Sequence, residues 1–386
     1  MLERPPMIRT DHSNTFAHNT MKVRVPKIIR EVQELNPDYP ASIQRSLDAL
    51  RESLESDARI PMLDLPTPDY DDWLPSYKAH EGHTWLNTDW FFAEIFFYRH
   101  LIQAVRWWET EHDPFAPKKE SELVSEALWA LVNRALAIEK ELPLEEHLMM
   151  LLHSALWGNR IDLSFPASMA HGHEVIDDDL LTDDSVSAIN YLLKARGTVH
   201  LIADNTGSEL AMDMVLVDTL LESVAQQVIL HVKMHPTFVS DATVADVLIL
   251  LDAFATGQHG DSVQQVGERL RAALTDGRLR LAPDSFWNSS YLLWQLPPRL
   301  TRLFQEAALV IVKGDANYRR TVGDALWPTD TPFAAVTDYF PAPLLALRTL
   351  KSDTLVGLPN GMAEQLEAID PQWRVNGRRG VIQYKP

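Results

Sequence analysis

Apolar residues recur at helical spacing through the first part of the chain. Ile28, Ile29, Val32 and Leu35, then Ile43, Leu47, Leu50 and Leu54, predict two helices between Lys27 and about Asp57, broken at Asn36-Pro37. Residues 1–25 read as an irregular arm, and the Pro-, Asp- and Tyr-rich stretch from Asp64 to Tyr77 as a loop. Asp89 to Glu109 is the most apolar helix. Trp90, Phe91, Ile95, Phe96, Phe97, Leu101, Ile102, Val105, Trp107 and Trp108 leave only a narrow polar face of Glu94, Tyr98, Arg99 and Arg106, which predicts burial on most sides. Ser121 to Lys140 and Leu144 to Leu156 keep the helical period, and Trp157-Gly158-Asn159-Arg160 stops it. No strand is predicted before residue 160.

The period then changes. Gly197 to Asp204 is a short apolar run rich in β-formers, followed by a helix over Glu209 to Val224 with Leu210, Met214, Val217, Leu220, Leu221 and Val224 on one face. Gln227 to Val232 is a second strand, leading through a loop to a helix over Val244 to Ala255. Ala308 to Val312 is a third, and Thr354 to Gly357 and Gly380 to Gln383 are candidates for two more. Strands alternating with helices predict βαβ units and a mainly parallel sheet. The expected fold class is therefore α/β, a Rossmann-like αβα sandwich preceded by a largely helical N-terminal domain. The division expected is 1–190 for the helical domain capping the site and 191–386 for the domain that carries it.

At 386 residues and 46% hydrophobic composition, the chain can bury a large core, as two domains or as one large α/β unit with an insertion. Its 35 Lys+Arg against 54 Asp+Glu leave a formal charge of −19. Such a charge repels phosphate backbones and anionic lipid headgroups, so nucleic acid and membrane surfaces are not expected partners. The densest basic stretch, Arg374 to Arg379, is too short to reverse that field. An anionic ligand would need a local cationic device, either particular Lys and Arg residues or a metal ion. Cysteine is absent, which removes disulfides, thiolate catalysis, Fe–S clusters and Cys-based zinc sites. With no apolar leader and no long uncharged apolar run, a cytoplasmic protein is expected.

In open α/β sheets the ligand binds beyond the carboxyl ends of the strands. The first strand ends in Asp204-Asn205-Thr206-Gly207-Ser208-Glu209. The loop after the second runs from His235 to Asp241, and the third leads into Lys313-Gly314-Asp315-Ala316-Asn317-Tyr318-Arg319. Asp204, Asn205 and Asp241 offer oxygen ligands for a hard cation, Mg²⁺ or Mn²⁺, and no histidine stands at zinc-ligand spacing on these loops. Taken alone, Asp241 reads as an N-cap for the helix near Val244, and Thr206-x-x-Glu209 as a capping box. Capping does not account for Asp204 and Asn205 together after an apolar strand, so the joint pattern favours a site. Lys313, Asp315 and Asn317 alone would be a polar βα loop. Arg348-Thr349-Leu350-Lys351 puts two cations in an apolar setting, where each needs an anion, either a bound phosphate or a structural carboxylate. His171-Gly172-His173 with Asp177 to Asp179 reads as a solvated loop. Glu94, Tyr98 and Arg99 fit either a cleft wall or one another. Trp157-Gly158-Asn159 with Asp162 is a helix stop or a cleft-lining turn.

These residues together resemble a known family. Asp204-Asn205-x-Gly207-x-Glu209, Lys233-x-x-Pro236-x-Phe238-Val239-Ser240-Asp241, Lys313-Gly314-Asp315-x-Asn317-Tyr318-Arg319 and Arg348-Thr349-x-Lys351 occur in this order at strand ends. With Leu156-Trp157-Gly158-Asn159, Asp162-Leu163-Ser164 and Trp373-Arg374-Val375 they cover most of the chain beyond residue 85. The pattern resembles the metal-dependent damage-control phosphatases, long labelled domain of unknown function 89. Within that family it is similar to the subgroup of sugar-phosphate phosphatases and acidic-residue methyltransferase 1-like proteins, marked by Arg-Thr-x-Lys. The resemblance implies that Asp204, Asn205 and Asp241 hold the metal and form the catalytic centre. It also implies that Glu209, the loop Gly314 to Tyr318 with Asp315 and Asn317, and Lys351, with Arg348 behind it, bind substrate. Ala316 stands where a larger residue such as Leu is expected, and the first 80 residues match least.

The reaction so implied is metal-dependent hydrolysis of a small phosphomonoester, a sugar phosphate such as fructose 1-phosphate or fructose 6-phosphate. The cofactor is Mn²⁺ or Mg²⁺, with Co²⁺ or Ni²⁺ as further candidates. One rival is a methyltransferase acting on protein carboxylates, which wants a glycine-rich turn after the first strand where this chain has the single Gly207. A second is a non-catalytic binding module using the aromatic helical half as its surface.

Overall fold

The computed structural model describes residues 2–65, 67–138, 142–158 and 179–386. Seven strands form one sheet in the order β1-β7-β6-β5-β2-β3-β4. They are β1 Leu180–Asp183, β2 Gly197–Ile202, β3 Ala225–Val232, β4 Leu279–Pro283, β5 Leu309–Lys313, β6 Leu344–Thr349 and β7 Gly380–Lys385. β6, β5, β2, β3 and β4 run parallel to one another. β7 is antiparallel to β6, and β1 follows β7 in parallel. The order reverses beside β2, which lies between β5 and β3, and that is where a crevice opens in such a sheet.

The central strands are buried on both faces because helices cover both. Leu309 and Ile311 of β5 enter one core, shared with the helices Leu144–Trp157 and Gly207–Ser223. Val310 and Val312, one residue out of phase, enter the other, with Trp287, Phe304, Tyr318 and Trp373. This two-residue alternation is the pleat of a strand buried on each side. A third core belongs to the N-terminal region and centres on the helix Trp90–Ala104, where Trp90, Phe91, Phe92, Phe96 and Phe97 are each at most 2% exposed. Among the described residues, no helix is long and apolar enough to cross a membrane.

Several elements depart from the sequence reading. The expected arm contains the helix Thr15–Asn19 and a π-helical turn Thr20–Arg24, with Ala17 and Met21 buried. The expected loop Asp64 to Tyr77 holds the helix Tyr70–Ala79, in which Trp73 is buried despite Pro75. Pattern alone does not distinguish so short and polar a helix from a loop. The helix expected over Ser121 to Lys140 begins earlier, as Ala116–Leu123 and Glu126–Ile138. Thr354 to Gly357 is not a strand; the Gly357 amide donates to the Thr331 carbonyl outside any ladder. The strand is Leu344–Thr349 just before it, paired on both sides. β1 and β4 are edge strands too short or too interrupted by polar residues to show a period.

Candidate active site

Of the three loops at the carboxyl ends of β2, β3 and β5, the first two are joined by backbone hydrogen bonds. The Ala242 amide donates to the Asp204 carbonyl at 2.8 Å, and the Thr206 amide to the Ser240 carbonyl at 2.7 Å. Asn205 and Asp241 thereby pair as an isolated antiparallel bridge. Asn317 Nδ2 ties in the third loop by donating to the carbonyls of Ala203 at 3.0 Å and Lys313 at 2.9 Å. Residues distant in sequence are thus held beside one another by satisfied backbone groups, a rigid basis for a site.

The capping alternatives fail in the structure. Thr243, not Asp241, N-caps the helix Val244–Ala255, in a capping box with Asp246. Thr206 makes no side-chain cap bond, and Glu209 accepts instead from Asn205 at 3.0 Å and Lys313 at 3.1 Å. Asp204 and Asp241 are buried, 7% and 3% exposed. Burial first, then the neighbouring carboxylates of Glu209 and Asp241, pushes the Asp204 carboxyl well above its usual range, against the pull of Lys351 and Lys233. Burial likewise raises Asp241 to about 6, opposed by Lys233. Lys233 Nζ makes an ion-pair contact with Asp241 Oδ2 at 3.3 Å, yet that oxygen has no hydrogen bond of good geometry.

This is an environment short of positive charge. Asn205 completes it: its Nδ2 donates to Asp204 Oδ2 at 2.8 Å, and its Oδ1 accepts from Ser240 Oγ at 2.6 Å. Among the described residues no three His, Cys, Asp or Glu side chains group as a metal site, so a cation here would rest on two carboxylates and the Asn205 amide. Two buried carboxylates with an unsatisfied oxygen form an all-oxygen donor set that fits a divalent cation such as Mn²⁺ or Mg²⁺. Gly314 lets the third loop approach: at φ +84° it lies so close that a Cβ there would be 2.0 Å from the Asp204 carboxylate.

A cleft of about 650 Å³, open to solvent, brings Asp204, Asn205, Asp241, Asp315 and Lys351 together. Lys351 is exposed, and among the described residues its amine has no carboxylate partner. Four other predicted residues stand behind this wall. Arg348 is fully buried and spends its guanidinium on Asp315 at 2.8 Å, Ser352 and the Thr354 carbonyl. Asp315 Oδ1 also accepts from the Lys351 amide at 3.0 Å, so Arg348 fixes Lys351 through Asp315. Burial alone would raise the Asp315 carboxyl; Arg348 and Arg319 hold it below the usual range. The Tyr318 hydroxyl donates to Gln383 in the core, Asn317 is a backbone tie, and Glu209 backs Asn205.

Sequence reasoning assigned no role to Asp213, Lys233 or Arg319. Lys313 Nζ donates to Asp213 at 2.7 Å, to Glu209 and to the Ala155 carbonyl at 2.7 Å. Despite burial, those carboxylates hold it charged, above its ordinary range. The available signal was spacing, since Asp213 lies one helical turn after Glu209 with mostly apolar residues on either side of it. Of the polar face of the aromatic helix, Glu94 lines the cleft and accepts from Arg319 at 2.7 Å, Arg99 pairs with Asp69, and Tyr98 packs on Phe238. Trp157 ends its helix and Gly158 lies against Glu209, whereas Asn159, Asp162 and residues 171–178 of the histidine–aspartate cluster fall outside the described residues, and Asp179, its last member, pairs with Arg378.

Comparison with known proteins places this arrangement in context. The profile of the damage-control phosphatase ARMT1-like domain matches residues 20–366. The chain belongs to this damage-control phosphatase ARMT1-like family. Similar family members include damage-control phosphatase ARMT1 of Mus musculus, 29% identical over 436 aligned positions that cover 100% of this chain and 99% of the relative. The Homo sapiens protein of the same name is 26% identical, with 98% of each covered. The crystal structure of a DUF89 family protein from Pyrococcus horikoshii is similar in fold, with a TM-score of 0.51 at 16% identity, covering 97% of this chain and 99% of that one. The ARMT1-like match begins at residue 20, inside the helical region, and ends at residue 366, so it takes in most of the N-terminal aromatic core and every strand of the sheet but β7.

Proposed function

We propose that the protein is a metal-dependent phosphatase that hydrolyses small phosphomonoesters, sugar phosphates such as fructose 1-phosphate or fructose 6-phosphate among them. The observation that carries the reading is the buried Asp204-Asn205-Asp241 group beside the unpaired Lys351 in one cleft, in a chain of this phosphatase family. Asp204, Asn205 and Asp241 would hold a divalent cation, which would supply Lewis acidity toward the phosphoryl group and acidify the attacking water. Lys351 binds the phosphoryl group from the other loop, its position set by Asp315 and Arg348. Water adds to phosphorus as the ester P–O bond breaks, and the products are inorganic phosphate and the free alcohol.

Phe16, Trp90 and Phe238 also line the cleft, and such rings suit the apolar faces of a sugar. The test is phosphate release from a panel of sugar phosphates, with and without Mn²⁺ or Mg²⁺. Chelator is expected to abolish turnover and added metal to restore it. Asp204→Ala and Asp241→Ala should each lose metal binding and activity by at least ~10²-fold while staying folded. Full activity in both variants, or turnover indifferent to chelator, would remove the proposed site.

A further inference from the structure

The cleft has a second unpaired cation, one that belongs to no motif. Besides Lys351 and the sheet-edge carboxylates, its wall includes Arg24 from the N-terminal region. The other charged groups of that wall are satisfied: Glu94 and Arg319 pair at 2.7 Å, with Arg319 also donating to Asp324 at 2.7 Å. Arg24 is exposed, and among the described residues its guanidinium has no ion pair or side-chain hydrogen bond, in a chain with 54 acidic residues.

Its setting is held from below. Arg24 ends the π-helical turn Thr20–Arg24, in which the Val25 amide bonds the Thr20 carbonyl. Pro26 has no amide for the Lys22 carbonyl, which favours a break in the regular helical ladder here. Single π-helical turns are rare and collect at functional sites. Ala17, Met21 and Val25 are each at most 1% exposed, and Thr20 Oγ1 donates to the Phe16 carbonyl at 2.9 Å. The turn is thus anchored on its buried face while Arg24 stays free.

We propose that Arg24 binds phosphoryl oxygens of the substrate, as the second cation of a clamp whose first is Lys351. This deepens the phosphatase reading and rests on it. The planar guanidinium can take two phosphoryl oxygens at once, which a lysine cannot. The helical N-terminal region then completes the phosphate site rather than only covering it.

The test measures fructose 1-phosphate turnover and, separately, the affinity of Mn²⁺-loaded protein for inorganic phosphate by calorimetry. Arg24→Ala is expected to raise KM and the phosphate Kd together by about tenfold or more, the value of a charge-assisted hydrogen bond, with Mn²⁺ affinity unchanged. Arg24→Lys should recover part of the loss, and Lys22→Ala, an exposed neighbour outside the cleft, none of it because none is lost. Unchanged KM and Kd in folded Arg24→Ala would overturn the role of Arg24. A raised KM with unchanged phosphate Kd would overturn it too. A wild type that binds phosphate but releases none from any ester would overturn the phosphatase reading instead, and the calorimetric comparison would still decide Arg24.

Discussion

At the scale of single residues, close approach governs the site more than residue type. Asp204 is buried with other carboxylates around it, and what keeps its carboxylate in place on one side is the bare Cα of Gly314. Gly314→Ala adds a methyl where only 2.0 Å is free and strains a backbone at φ +84°. It should displace Asp204 and lower kcat/KM by roughly 10²-fold, the cost of about an ångström of misplacement, with a melting curve still cooperative. Wild-type kinetics in that variant would mean that Asp204 does not act from where it stands. Arg348 poses a different question, because it is fully buried and never reaches the cleft. Arg348→Met leaves Asp315 without its nearest cation, so a stability loss of about 3–5 kcal/mol is expected in denaturant titration. A change below 1 kcal/mol would argue that Asp315 is held otherwise.

At the scale of elements, the structure separates two threonines that look alike in sequence. Each precedes a helix, and each has an acidic residue three positions on. Thr243 and Asp246 form the reciprocal cap; Thr206 and Glu209 do not, since Asn205 and Lys313 have taken the Glu209 carboxylate. Thr243→Ala should therefore cost about 1 kcal/mol, whereas Thr206→Ala, whose buried Oγ1 has no hydrogen-bond partner, should cost within about 0.5 kcal/mol of nothing. Paired urea titrations decide it, and equal losses would show that Thr206 caps after all. Lys313 explains why the two motifs diverge. A buried ammonium between Asp213 and Glu209 binds the helix after β2 to the end of β5, and that demand outweighs a cap bond.

For the whole molecule, buried histidines couple stability to pH. His100 sits in the aromatic N-terminal core, where burial lowers its pKa to about 4, with the charge of Arg99 adding to the shift. The unfolded chain takes up this proton near 6.5, so His100 contributes stability above that pH and loses it as the pH falls toward 4. Between pH 7 and pH 5 the loss is about 2 kcal/mol. His200, also lowered to about 4 by burial, adds a term of the same sign in the sheet core. In urea titrations at the two pH values, His100→Gln should narrow the difference by about 2 kcal/mol. An unaltered slope would place the acid sensitivity elsewhere.

Much of this was legible in the chain order of apolar residues. The first, second and third predicted strands are β2, β3 and β5, and the helix over 244–255 has the predicted bounds, because period and burial are local consequences of composition. Asp204, Asn205 and Asp241 could be singled out because strand ends are where an α/β sheet presents side chains, whereas Asp315 and Lys351 were implied only by the family resemblance. What sequence could not decide is everything that depends on which buried charge meets which. Whether Asp241 caps a helix, whether Arg348 reaches the cleft, and whether Glu94 enters a cleft or only meets its helical neighbours are set by contacts across large sequence separations. Likewise β1 and β4 are strands because a neighbour offers them a ladder, not because of their own pattern. Desolvation and pairing of charge are properties of the assembled core, and only the tertiary structure brings Arg24, from the segment that sequence left irregular, to the same cleft as Asp204 and Lys351.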